Sequence, residues 1–201
     1  MDPVEDLLRF HGPLSEHAFK EEVKRLRDRA RDPNWLYTSI AQDQREPWQG
    51  DVLPFAELPF VNAAGEVELN EGPAMVLSTT CDAVPGQDPA SVLAPVYAVT
   101  DFLRAVAIPD RQSQLDALKS NRYARYMYLP GMGARPESCA NFSEAASVST
   151  TYLARHCAAA ALDDRLRFSR LGWYFFNYKL SYYYARAEDE REVPRSDPVI
   201  L

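Results

Sequence analysis

Two short apolar runs, Met75-Val-Leu77 and Val92-Leu-Ala-Pro-Val96, constrain this chain more than any other feature. Each is bounded by Gly, Pro, Asp or Ser, so each is too short for a helix and has the pattern of a buried strand. A turn-rich connector, Asp82-Ala-Val-Pro-Gly-Gln-Asp-Pro89, separates them. The first run ends on Ser78, Thr79, Thr80, Cys81 and Asp82. Small polar groups and a thiol at a strand mouth suit a functional site, and they equally suit ordinary turn chemistry.

The flanking segments supply more strands. Asp51-Val-Leu53 and Leu58-Pro-Phe-Val61 read as short strands, and Ala63-Ala-Gly65 before Glu66-Val-Glu-Leu-Asn70 reads as a hairpin turn with Gly65 at its tight point. Tyr123 to Pro130 reads as another strand, and Phe102 to Ile108 fits strand or helix. Between Ser138 and Arg155, Phe142, Val148, Tyr152 and Leu153 are the expected core contacts.

Helices are expected at three places. Ser15 is a candidate N-cap for a segment carrying Phe19, Val23 and Leu26 among mixed charges, and Asp32-Pro33 ends it. Residues 33–50 then form an irregular bridge. Arg111 to Ser120 turns Leu115 and Leu118 inward and stops at Asn121. Arg165 to Arg186 repeats Phe168, Leu171, Phe175, Tyr178 and Tyr182 at helical spacing. Trp173, Phe176, Leu180 and Tyr183 lie around the same cylinder and are expected to face a second layer or the other half of a homodimer.

Composition limits the function classes. The 201 residues are 46% hydrophobic and 25% charged with a net charge of −7, which fits a globular protein and not a polycation that coats nucleic acid. No apolar run approaches the roughly 20 residues of a membrane span. The three cysteines, Cys81, Cys139 and Cys157, lack Cys-x-x-Cys spacing, and the acidic start lacks a basic leader. A cytoplasmic protein with reduced thiols, no cofactor and no bound metal is expected.

Two clusters could carry chemistry. Cys81 beside Asp82 is a candidate thiol or ligand pair, although a neighbouring carboxylate disfavours the thiolate and no His is placed to serve as base. The same pair could be a buried thiol next to a turn-capping carboxylate. Arg122, Arg125, Tyr126 and Tyr128 interleave cations with rings, as a surface for RNA bases and phosphates or for a protein partner does. If Tyr126 and Tyr128 pack on a core, Arg125 faces the opposite side.

Gly50-Asp-Val52, Gly72-Pro-Ala-Met-Val-Leu-Ser78 and Val92-Leu-Ala-Pro-Val96 together resemble the PemK/MazF group of toxin–antitoxin proteins, with Ala145 to Leu153 similar in placement to its late strands. The resemblance covers roughly residues 50–185. It implies an α+β fold: a small SH3-like antiparallel β-barrel with an N-terminal helix and a long aromatic C-terminal helix. The expected division is an N-terminal extension over 1–49, the barrel and its helix over 50–187, and an acidic tail over 188–201. In ribonuclease members an Arg precedes the strand proline, where this chain has Gly72. A Thr or Ser typically stands two places after the later proline, where this chain has Tyr97. The resemblance therefore implies a non-catalytic module binding RNA or protein in a bacterial toxin–antitoxin or defence system. Its rivals are an endoribonuclease with relocated groups, such as Arg122, Arg125 and Asp82, and a thiol- or metal-dependent enzyme at Cys81 and Asp82.

Overall fold

The structure, a computed structural model, describes residues 24–26, 28–80, 82–83, 88–104 and 110–185. Residues 24–26 and 28–29 are helical, and the candidate cap Ser15 with Phe19 and Val23 lies outside the described residues. Asp32 closes that segment and begins the next: its carboxylate accepts the Asn34 N–H at 2.9 Å and caps α1 (Pro33–Leu36), with proline at the position that needs no donor. The bridge expected over 33–50 therefore contains a short helix and a short strand, β1 (Tyr37–Thr38).

A long hairpin follows. β2 (Val52–Val61) is one strand instead of two, bent by a bulge between Leu53 and Ala56, and it pairs with β3 (Val67–Val76) from Val52↔Met75 to Val61↔Val67. Gly65 takes φ +82 in the connecting turn, as its position required. β4 (Ala90–Ala98) is the central strand, and α2 (Val99–Arg104) continues from it. The ambiguous stretch after Phe102 is thus helical to Arg104; residues 105–109 lie outside the description.

α3 (Arg111–Lys119) ends where Asn121 adopts φ +52. The strand expected over 123–130 narrows to β5 (Tyr126–Leu129), which pairs with β6 (Ser138–Asn141). A 3-10 turn over Phe142–Glu144 leads to β7 (Ala146–Ser149), then α4 (Thr150–Ala159), β8 (Arg167–Phe168) and α5 (Arg170–Ala185).

The sheet is mostly antiparallel and open, with order β2-β3-β4-β6-β5 and β7 also on β4. The closed barrel expected of an SH3-like fold does not form: among the described residues no ladder joins β2 to β5 or β7. Instead Val52 exchanges two backbone bonds with Leu166, at 2.8 and 3.0 Å, so the segment before α5 takes the start of the β2 edge.

The helix expected from Arg165 starts only at Arg170. Residues 165–168 are extended, because Phe168 and Arg167 pair with Tyr37 and Thr38 while both arginines are held by Asp51. The main core gathers Leu36, Val52, Met75, Val96, Leu129, Phe142, Phe168, Phe175 and Phe176. A second core, around Leu53, Val76, Leu93 and Leu153, lies under α4.

Candidate functional site

The ladder between β3 and β4 stops early. It covers only Ala74↔Pro95, Met75↔Ala94 and Val76↔Leu93, although β3 extends back to Val67 and β4 runs on to Ala98. In an antiparallel pair, residues alternately exchange hydrogen bonds and point them away. Gly50 and Asp51 bond to Val76 on the β2 side, so Met75 faces β4 and the next rung belongs to Pro73. Proline has no N–H to give, and the strands separate there.

The separation makes a cleft of about 450 Å³. Asn70, Glu71, Gly72 and Pro73 line one wall, and Pro95, Val96, Tyr97 and Ala98 line the other. Its floor carries Leu58, Leu129 and Leu166. The separated strands are joined by side chains: Asn70 Nδ2 donates to Tyr97 Oη at 2.8 Å, and Tyr97 Oη donates to Glu144 Oε2 at 2.5 Å. Asn141 Nδ2 holds the other oxygen of Glu144 at 2.7 Å. Burial and then the Glu144 carboxylate push the Tyr97 phenol upward, so it remains a protonated post and not a base. A second groove continues beyond this post, between Leu58 to Val61, Glu68, Leu69 and Glu144.

Gly72 and Tyr97, the positions where the family resemblance places Arg and Thr or Ser, thus face one cleft. A Cβ on Gly72 would meet nothing within 4 Å, so the missing side chain leaves open space. Among the described residues one cation, Arg135, lines the cleft, against Glu71, Asp101 and Asp164. Arg135 forms no ion pair among the described residues, and desolvation lowers its pKa. Its clearest contact is a long 3.5 Å bond from Nη2 to the Asp163 carbonyl.

The charge of the walls is written in the chain. Between Arg45 and Arg104 there is no Lys, Arg or His, while Glu46, Asp51, Glu57, Glu66, Glu68, Glu71, Asp82, Asp88 and Asp101 fall in this interval. It contains all of β2, β3 and β4. Of these carboxylates, Glu57, Glu66, Glu68 and Glu71 make no ion pair among the described residues. This run of one charge sign was legible in the sequence and is a better guide to the cleft than the net charge.

The sequence candidates fall elsewhere. Cys81 lies outside the described residues. Asp82 is exposed and caps a turn, accepting from Thr79 Oγ1 at 2.6 Å. Arg122 and Arg125 are exposed, and Arg125 sits 5.0 Å above the Tyr126 ring. Tyr126 packs on Phe102 and Tyr123, while Tyr128 is 3% exposed and donates to Glu137 at 2.5 Å. Tyr128 is therefore turned to the interior and Tyr126 is half-buried against Phe102 and Tyr123, while both arginines are exposed.

On α5, Phe176 is fully buried, whereas Leu180 and Tyr183 pack at the edge of the main core. Trp173 is exposed, as is Tyr182, which the helical stripe had placed inward. The polar Lys179 replaces it inside, donating to the carbonyls of Asn121 and Tyr123.

Asp51, in the Gly50-Asp-Val52 motif, is structural. Arg165 Nη2 donates to its Oδ2 at 2.7 Å, and Arg167 grips both oxygens at 2.8 and 2.9 Å. All three are buried, the Arg167 guanidinium lies 4.2 Å from the centre of the Trp48 ring, and the Trp48 N–H closes the turn onto Oδ2. Gly50 takes φ +87 with Phe168 against its Cα, so this motif builds a corner and leaves no free group for catalysis.

Burial pushes the Cys139 thiol up to about 12 and the Cys157 thiol up to about 11. Both thiols are neutral and shielded, so neither is a nucleophile. Because their folded pKa values exceed the ordinary thiol value of about 9, this contribution to stability is complete below about pH 9 and lost as pH rises toward 11–12. Alkylation of Cys139 and Cys157 at pH 8, read by peptide mass, is expected only after denaturant is added. Labelling of either thiol in the folded protein would contradict this burial.

Among the described residues no group of three His, Cys, Asp or Glu side chains could hold a metal ion, and no helix is long and apolar enough to cross a membrane. Comparison with protein-family models, curated proteins and solved structures found no match.

Proposed function

We propose that this protein is a non-catalytic binding module for a protein partner, built on a PemK/MazF-like sheet that has lost its cation and hydroxyl at the cleft. One observation carries the choice of protein over RNA. The three strands that form the cleft contain no Lys, Arg or His, and three of their carboxylates, Glu57, Glu68 and Glu71, lack any ion pair among the described residues. A phosphate backbone gains affinity from cations that neutralise it, and this surface would repel it. A basic and partly apolar protein segment finds both its charge and its apolar surface matched. In a toxin–antitoxin or defence system, such a module would bring a partner's activity under control and perform no chemistry itself.

The test is a pull-down from the native host, with bound protein and RNA both analysed, using the natural chain and the Glu68→Lys/Glu71→Lys variant. Both carboxylates are exposed, so the variant should fold normally. A stoichiometric protein that the natural chain retains and the variant loses is the expected result. Enriched RNA with uniform new ends would overturn it.

Arg135 favours a second reading, the endoribonuclease with a relocated cation, because among the described residues it alone brings a guanidinium without an ion pair to the cleft. On that reading single-stranded RNA is cut without added metal, and Arg135→Ala lowers the rate by about 100-fold or more. Absence of cutting by the natural chain removes it.

A further inference from the structure

We infer that the partner binds as an added β-strand on the free edge of β3, and that the recognised segment is extended, with basic and apolar residues in alternation. This rests on the protein-binding reading above and specifies its geometry.

The edge is readable from hydrogen-bond alternation. β2 and β3 exchange bonds at every second residue. Glu57 is directly opposite Glu71, and its N–H leaves the hairpin to reach Tyr152 Oη at 2.8 Å. The Glu57–Glu71 pair is therefore one that points outward, as are Pro59–Leu69 and Val61–Val67 two and four residues along. Pro59 has no donor and sits where none is needed for the hairpin. Val67, Leu69 and Glu71 consequently direct their N–H and C=O groups away from β2, toward the side where β4 has parted from β3. Among the described residues no backbone partner on another element takes up those groups. Their spacing spans about five residues, or roughly 17 Å of strand.

A free edge of this kind is ordinarily covered or blunted by charge of either sign. Here its two faces differ. Val67 is 72% exposed and Leu69 58%, and on the same face the neighbouring Val61 is 68% exposed. The opposite face carries Glu68, beside Glu66 in the turn, and among the described residues the Asn62 amide is the one side-chain hydrogen-bond partner of both carboxylates. An incoming strand whose apolar side chains lie beside Val67 and Leu69, and whose Lys or Arg side chains lie beside Glu68 and, at the end of the Val67–Leu69 face, beside the exposed Glu71, satisfies both faces at once. Backbone bonds then supply register and affinity, and the alternation supplies choice of partner. The cleft beyond Pro73 receives the end of that strand, since Pro73 offers no further donor along the edge.

The probe is a peptide of about ten residues alternating Val and Lys, matched in length to β3, with a Val–Glu peptide as counterpart. Binding of the Val–Lys peptide should slow amide exchange at Val67, Leu69 and Glu71, read residue by residue by NMR, and leave Glu68 and Asn70 little changed. The Leu69→Pro variant removes one outward N–H without breaking a β2–β3 rung and should weaken binding by about tenfold or more. Leu69→Ala should weaken it less, and the Val–Glu peptide should not bind. The exchange measurement on the natural chain decides the matter even if Leu69→Pro fails to fold. Binding without protection at 67, 69 and 71, or no binding of the Val–Lys peptide, would overturn the strand-addition proposal. If the host partner is retained equally by the natural chain and a folded Leu69→Pro, the module still binds protein and only this geometry fails. Recovery of RNA, with no stoichiometric protein retained by the natural chain, defeats the broader reading.

Discussion

Replacing Asp51 with Ala is expected to lower stability by about 3–5 kcal/mol, because two buried guanidiniums would lose the only carboxylate that pairs with them among the described residues. Arg165 and Arg167 would keep their bonds to the carbonyls of Arg45 and Glu46, which cannot neutralise a full charge. Among the described residues the Arg165 Nε–H already has no partner, so they offer the cluster no spare acceptor. Thermal unfolding should shift down by roughly 6–20 °C for a chain of this size, and urea titration should show the same loss. A shift of under about 1 kcal/mol would mean that the pair of arginines is wetter than the structure has it. Joint replacement of Asp51, Arg165 and Arg167 with apolar residues of similar size should cost less than Asp51→Ala alone, since no charge is then stranded.

The Gly172→Ala substitution should be the second most damaging change. A Cβ there would stand 2.2 Å from the carbonyl oxygen of Leu36, a backbone atom that cannot swing aside. Alanine improves helix propensity by about 1 kcal/mol, yet α5 would have to move off α1, costing about 1–3 kcal/mol or more through overpacking. The contact also orders Ser169, whose N–H donates to Leu36 and whose hydroxyl donates to Trp35. Gly72→Ala is the control, with open space around it and no positive φ, and it should be neutral or slightly stabilising. Chemical denaturation of the two variants side by side checks both. Equal stability of Gly172→Ala and the natural chain would sink the argument from close packing.

Much of the architecture was legible where local patterns agree with packing. The runs at 75–77 and 92–96 form the central pair, Gly65 turns the hairpin, and Asn121 stops α3 in the left-handed region. The failures have a common cause. Arg165 and Arg167 look like the polar face of a helix when only spacing is considered, whereas an acidic partner 114 and 116 residues away draws them into an extended segment. Lys179 reads as a surface residue until the carbonyls of Asn121 and Tyr123 are brought to it. Tyr126 and Tyr128 show alternation but not which face is buried, and the packing of Phe102 and Tyr123 decides that. The cleft itself follows from Pro73 only once the register of β3 on both neighbours is known. Arg135 escaped notice because it stands in a loop without a motif.

The absence of lysine from β2, β3 and β4 has a consequence for how the molecule can be marked. The chain has four lysines, Lys20, Lys24, Lys119 and Lys179. Lys179 is enclosed, and Lys119 is engaged by Glu137 at 2.7 Å. Acylation, amine-reactive crosslinkers and biotin esters therefore cannot touch the β3 edge, and trypsin finds no cleavage point between Arg45 and Arg104. Chemistry that modifies lysines can change how the rest of the protein is handled while leaving this face chemically unaltered, and a tryptic digest carries the whole arm as one large fragment.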